Sequence, residues 1–137
     1  MNRGLVLAIV GAACAFAAAI VGLGVGLVVL LFRLLDATPS HVCGLAYVKA
    51  SPIARRLVGT PIEQRGFTGG HSSESNGELS ERITFDVSGP LGRAAVLAEG
   101  YRSELASRLE VTIGRNGRSQ TIYSGAFDCP EMHRASR

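Results

Sequence analysis

Few residues of this 137-residue chain have the chemical means to act on a substrate or hold a metal: three histidines, three cysteines and a scatter of carboxylates. His41, His71 and His133 stand far apart, with no cysteine or carboxylate around them at the spacing of a zinc ligand set. Cys43 and Cys129 would need a further soft ligand to carry copper or haem chemistry, and Met132 and His133 are the only candidates nearby. The run His71-Ser72-Ser73-Glu74 has the composition of a nucleophilic triad. Residues adjacent in a loop rich in Ser, Asn and Gly do not, however, reach across one another as a triad must. Glu74, Glu78 and Glu81 read as loop and strand-surface charges rather than as a paired general acid and base. Gly22-Leu23-Gly24-Val25-Gly26 sits within an apolar run, not between a strand and a helix, so it is no phosphate cradle. These residue types and spacings predict no catalytic centre, no metal and no cofactor.

The elements that carry them begin with that apolar run. Residues 4–32, GLVLAIVGAACAFAAAIVGLGVGLVVLLF, hold no charge, lie between Arg3 and Arg33, and exceed the roughly 20 residues that span a bilayer as a helix. A cleaved signal peptide has an apolar core of only about 7 to 15 residues before a polar chain, so the length favours an anchor. Gly11-Ala12-Ala13-Cys14 resembles a lipoprotein cleavage box, but the apolar run continues past Cys14 where a lipoprotein turns polar. No acidic residue opens the run as in a pilin leader. Small residues recur four apart (Gly4, Ala8 and Ala12; Gly11, Ala15 and Ala19; Gly22 and Gly26), a spacing that permits close helix packing in lipid and is also common in any membrane helix. The chain therefore divides into an anchor, 1–35, and a soluble unit, 36–137, with the bilayer as its first partner.

The net charge is +3, with basic residues scattered as singles and pairs, so there is no nucleic-acid stripe. Counting Arg and Lys beside the anchor slightly favours a cytoplasmic soluble unit. Cys43 and Cys129, near the two ends of that unit, would instead pair in an oxidising compartment or stay as free thiols, and their spacing leaves both open.

In the soluble unit Thr38-Pro39-Ser40 starts a helix that runs to Ala50, and Ser51-Pro52 restarts it, with Ser51 as cap and Pro52 at the first helical position. Ile53, Leu57 and Val58 would face the core, Gly59 supplies the left-handed stop, and Pro61 forbids continuation. The period then changes to two. Leu79, Glu81, Ile83, Phe85 and Val87 alternate with Ser80, Arg82, Thr84, Asp86 and Ser88, as on a half-buried strand. Gly89-Pro90-Leu91-Gly92 is a tight turn. A strand over 93–104 puts Ala94, Val96, Ala98 and Gly100 on one side, with Leu97 and Tyr101 on the other. A third, over 105–113, alternates Leu105, Leu109, Val111 and Ile113, and Asn116-Gly117 is a hairpin turn into a fourth over 119–123. Residues 66–70 add an edge strand, and 71–77 read as a polar loop. The expected fold class is α+β: one N-terminal transmembrane helix, a short helical segment and a curled antiparallel sheet of about four strands.

Leu57-Val58-Gly59-Thr60-Pro61-Ile62 resembles the helix-ending signature of the cytochrome oxidase complex assembly protein 1 family, which is related to the Tim-twenty-one translocase subunit. Within it Leu57, Gly59, Pro61 and Ile62 carry the likeness. Ile83 to Arg93, ITFDVSGPLGR, is similar to that family's strand ending in a Gly-Pro-Lys-Gly turn, with Leu91 where lysine is usual. The order of elements matches over 45–123. The resemblance implies a non-catalytic binding module, anchored in the inner membrane and facing the periplasm, that assists assembly of a respiratory complex such as a terminal oxidase, or of a translocase. Gly89, Pro90, Leu91, Gly92 and Arg93 would form its partner-binding turn. The contrasting expectation is a small-ligand or transport accessory domain, whose concave sheet would form a pocket from Phe85, Leu97, Leu109 and Tyr123. No spacing in the chain decides whether it pairs with itself.

Overall fold

The computed structural model describes residues 3–36, 38–129 and 131, which fall into two compact units, Met1–Arg33 and Leu34–Arg137. The first holds all but the last three residues of helix α1 (Arg3–Asp36). Residues Ile9–Leu34 of this helix are long and apolar enough to cross a membrane, and none of the span is buried against protein. A helix apolar all round has no polar face to turn to water, so α1 is a candidate membrane-spanning helix near the N-terminus.

The second unit opens with α2 (Pro39–Ala50) and α3 (Pro52–Val58), both beginning on a proline. Ser51 separates them because its side chain accepts the Ala54 N–H, capping α3, while the N–H of Gly59 closes that helix on Arg55 at φ +83°. Five strands follow: β1 (Glu63–Ser75), β2 (Glu78–Gly89), β3 (Gly92–Arg102), β4 (Ser107–Arg115) and β5 (Arg118–Gly125). They form one antiparallel meander in the order β1-β2-β3-β4-β5. The α+β class with its open antiparallel sheet stands, and the sheet has five strands.

The edge strand expected over 66–70 is β1, which extends into the segment expected to be a polar loop and pairs from Ser75↔Glu78 back to Glu63↔Ser88. Asn76 and Gly77, at φ +53° and +78°, make the same left-handed turn as Asn116 and Gly117. Leu105 is corrected too: it lies in the connection between β3 and β4 and is 98% exposed. Ser103 closes that connection, since its hydroxyl accepts the N–H groups of Leu105 and Ala106 and its own N–H donates to the Ala106 carbonyl. The loop is satisfied by its own serine, so Leu105 is not drawn into the ladder.

One face of the sheet is the core. Ile83, Phe85, Val87, Ala94, Val96, Ala98, Leu109, Val111 and Ile113 pack there with Cys43 and Val48 of α2 and Ala54 and Val58 of α3. Gly44 lets α2 lie down on β3, because a Cβ there would come within 3.0 Å of that of Ala98. Ile53 and Leu57 are only partly buried, at the margin of this layer. On the other face Arg82 pairs with Glu99 across 3.2 Å and Arg108 with Glu110 across 3.1 Å.

Candidate functional site

The segments 57–62 and 89–93 meet at one corner. Gly59 ends α3, and the chain there presses on the β2–β3 turn: a Cβ on Gly59 would lie 3.1 Å from both Pro90 and Leu91. The Leu91 N–H donates to the Val58 carbonyl across 2.8 Å. Gly89 is required from the other side, since any side chain there would collide with the same carbonyl oxygen. Arg115 of β4 adds a third tie, donating to the Leu57 carbonyl while its guanidinium lies over Gly92. The Thr60–Pro61 peptide is cis and Ile62 is buried. Arg93 and Leu91 point outward, Leu91 being 59% exposed. Arg115 carried no signal in the sequence, because nothing local tells an arginine at a hairpin end that it faces a helix terminus 58 residues earlier.

Beside this corner a groove of about 750 Å³ lies between α3 and the β4–β5 hairpin. Leu57 and the buried Ile113 line it with Arg115, Arg118 and Gln120. The three ion pairs among the described residues involve Arg65, Arg82 and Arg108, so no carboxylate neutralises the two groove arginines.

At the other side of the core, Cys43 of α2 and Cys129 are joined in a disulfide, and both are almost fully buried. The segment 126–129 straps the sheet to α2. Phe127 is buried against Gly100, where a Cβ would overlap its ring. Its N–H donates to Ser107, its carbonyl accepts from Arg102, and the Arg102 guanidinium lies 4.7 Å over its ring. Tyr47 stacks on Tyr123 at 3.7 Å and donates to the Asp128 carbonyl. Burial first, and then the neighbouring Tyr123 hydroxyl, push the Tyr47 phenol up to about 12.

Glu81 is a correction to the expected strand-surface charge, being 4% exposed, whereas Glu74 and Glu78 are exposed. Thr38, at the N-cap of α2, provides no side-chain cap. The Glu81 carboxylate takes that role from β2, accepting the Ser40 N–H across 2.8 Å and the Ser72 hydroxyl across 3.3 Å. A carboxylate at a helix N-terminus meets unpaired N–H groups and the positive end of the helix dipole. His41 beside it shares a hydrogen bond with Gln64, which donates to Thr68, and its ring meets Phe85 edge-on. This buried polar group fastens α2 to β1 and β2.

Of the residues expected to form a pocket, Phe85 and Leu97 line one groove of about 500 Å³ with Phe67 and Thr84, while Leu109 is buried in the core layer and Tyr123 is covered by Tyr47, so the four are not brought together. His71 is exposed on β1, 30 positions from the buried His41, and among the described residues no group of three His, Cys, Asp or Glu is placed to hold a metal. Met132 and His133 lie outside the described residues.

The class defined by these observations is a five-stranded antiparallel sheet with two short helices on its core face, following a candidate membrane-spanning helix. Comparison with models of protein families, with curated proteins and with solved structures finds no match to this chain.

Proposed function

We propose that this chain is a non-catalytic, single-pass binding module of the inner membrane that assists assembly of a respiratory complex, a terminal oxidase being the first candidate, or of a translocase. The observation that carries the reading is the corner. The segment 57–62 and the turn 89–93, on which the family resemblance rests, are bonded to each other through Val58 and Leu91, and the turn offers Leu91 and Arg93 to a partner. A turn fixed from behind presents its side chains at little further entropic cost on binding. The buried Cys43–Cys129 disulfide favours an oxidising compartment, hence a soluble unit in the periplasm.

The test is affinity purification of the tagged full-length chain from its native membrane in mild detergent, followed by mass spectrometry. Parallel preparations carry Leu91→Ser, Arg93→Ser, or residues 1–35 alone. Terminal oxidase or translocase subunits should co-purify with the full chain and be depleted in all three controls. Recovery of the full chain without such subunits overturns the reading.

A further inference from the structure

The two ends of the sheet differ in charge and in shape. At one end is the groove described above, with an apolar lining from Leu57 and Ile113 and the unneutralised Arg115 and Arg118. Arg93 lies at the same end, where β3 begins. At the other end the β3–β4 connection lies beside the β1–β2 turn, so that Glu104 and Leu105 adjoin Glu78. Glu74, Glu78 and Glu104 enter none of the three ion pairs among the described residues. Leu105, 98% exposed, is a large aliphatic side chain held out in water by a loop that Ser103 has latched. An apolar knob flanked by carboxylates thus occurs on the same chain as an apolar groove walled by guanidinium groups.

The knob and the groove cannot meet within one copy. β4 runs from Ser107, next to the knob, to Arg115 in the groove, roughly 26 Å at about 3.3 Å per residue. We propose that the chain associates head to tail with a second copy of itself. Leu105 of one copy enters the groove of the next, and Glu104 meets Arg118. Such a contact joins two different surfaces, so it propagates to a further copy or closes as a ring, unlike a two-fold dimer. Apolar contact between Leu105 and the Leu57–Ile113 lining removes exposed aliphatic surface from water, and the opposed charges set the register. Arg115 is already tied to Leu57, which leaves Arg118 as the free partner for a carboxylate.

The test uses the full-length chain in detergent micelles on a Cys14→Ser background, which removes the exposed free thiol. Copies carrying Ala106→Cys, beside an intact Leu105, are mixed with differently tagged copies carrying Gln120→Cys, and intermolecular disulfides are counted after mild oxidation. The expected result is a mixed disulfide that exceeds either same-site disulfide about tenfold, falls about tenfold with Arg118→Glu or with Glu104→Arg, and weakens as salt is raised. It should return when one population carries Arg118→Glu and the other Glu104→Arg, the reversal being placed so that the two altered surfaces face each other. Equal amounts of mixed and same-site disulfide would show random collision or pairing through α1. A loss with Arg118→Glu but not with Glu104→Arg would show that the groove takes another anionic partner. Either outcome overturns the proposal.

Discussion

The N–H of Leu91 and the carbonyl of Val58 are joined across 2.8 Å, and that bond ties the end of α3 to the turn between β2 and β3. It is possible because Gly89 and Gly59 have no side chains to hold the two backbones apart. Gly89→Ala should therefore destabilise the soluble unit by about 1–3 kcal/mol, the range for forcing an extra carbon into a packed site. Gly77→Ala, at a turn with open space around it, should cost about 1 kcal/mol through its backbone conformation alone. Thermal unfolding of the full chain in detergent would rank the two, and a Gly77 variant at least as damaged as the Gly89 variant would count against the clasp.

The disulfide closes a sequence separation of 86 residues. In the chain-entropy account a loop of that size restrains the unfolded chain by about 4–5 kcal/mol. Cys129→Ser should lower the unfolding midpoint strongly under oxidising conditions. Under a dithiol reductant sufficient to open the bond, wild type and variant should unfold together.

Glu81→Ala removes the acceptor for both the Ser40 N–H and the Ser72 hydroxyl, which should cost about 1–3 kcal/mol. Glu81→Gln keeps one acceptor oxygen for the Ser40 N–H and turns an NH2 toward the Ser72 hydroxyl, which can accept in its turn, so with the loss of charge at the helix terminus its cost should stay at about 1 kcal/mol. Hydrogen exchange at the Ser40 amide separates the two, with protection lost in the alanine variant and mostly kept in the glutamine one.

Tyr47 sets an alkaline limit. Its phenol is held at about 12 in the folded chain against the ordinary 10, so above pH 10 the unfolded chain gives up a proton that the folded chain keeps. The folded state binds that proton more tightly. Its contribution to stability is full below pH 10 and is lost as the pH rises toward 12. Wild type should lose stability more steeply than Tyr47→Phe between pH 9 and 11, although the variant starts about 1 kcal/mol lower for want of the bond to Asp128. Parallel slopes in unfolding midpoint against pH would refute this.

The elements legible in the sequence were those whose signal is local. An uncharged run long enough to span a bilayer reads as the helix α1 from its composition alone, since a segment that enters hydrocarbon must pair its own peptide groups. Ser51-Pro52 and Gly59 mark α3, and the alternation from Ile83 to Val87 orients β2, since a strand with one buried face repeats its apolar residues at every second position. β1 lacked that signal. Its EQRGFTGGHSSES contains one large apolar residue, Phe67, which is 75% exposed, so the sequence marks only an edge strand over 66–70 and its continuation through 71–75 reads as a loop. What the tertiary structure alone decided is which distant residues meet: Val58 with Leu91, Cys43 with Cys129, Ser40 with Glu81. Glu81 falls on the core side of β2 by the alternation, but nothing local shows what its carboxylate would meet there, and it is buried because the N-terminus of α2 arrives above it with an amide to satisfy. Helix and strand periods are set by the backbone geometry of neighbouring residues. Pairings across the fold depend on how whole elements pack, and no short stretch of sequence records that.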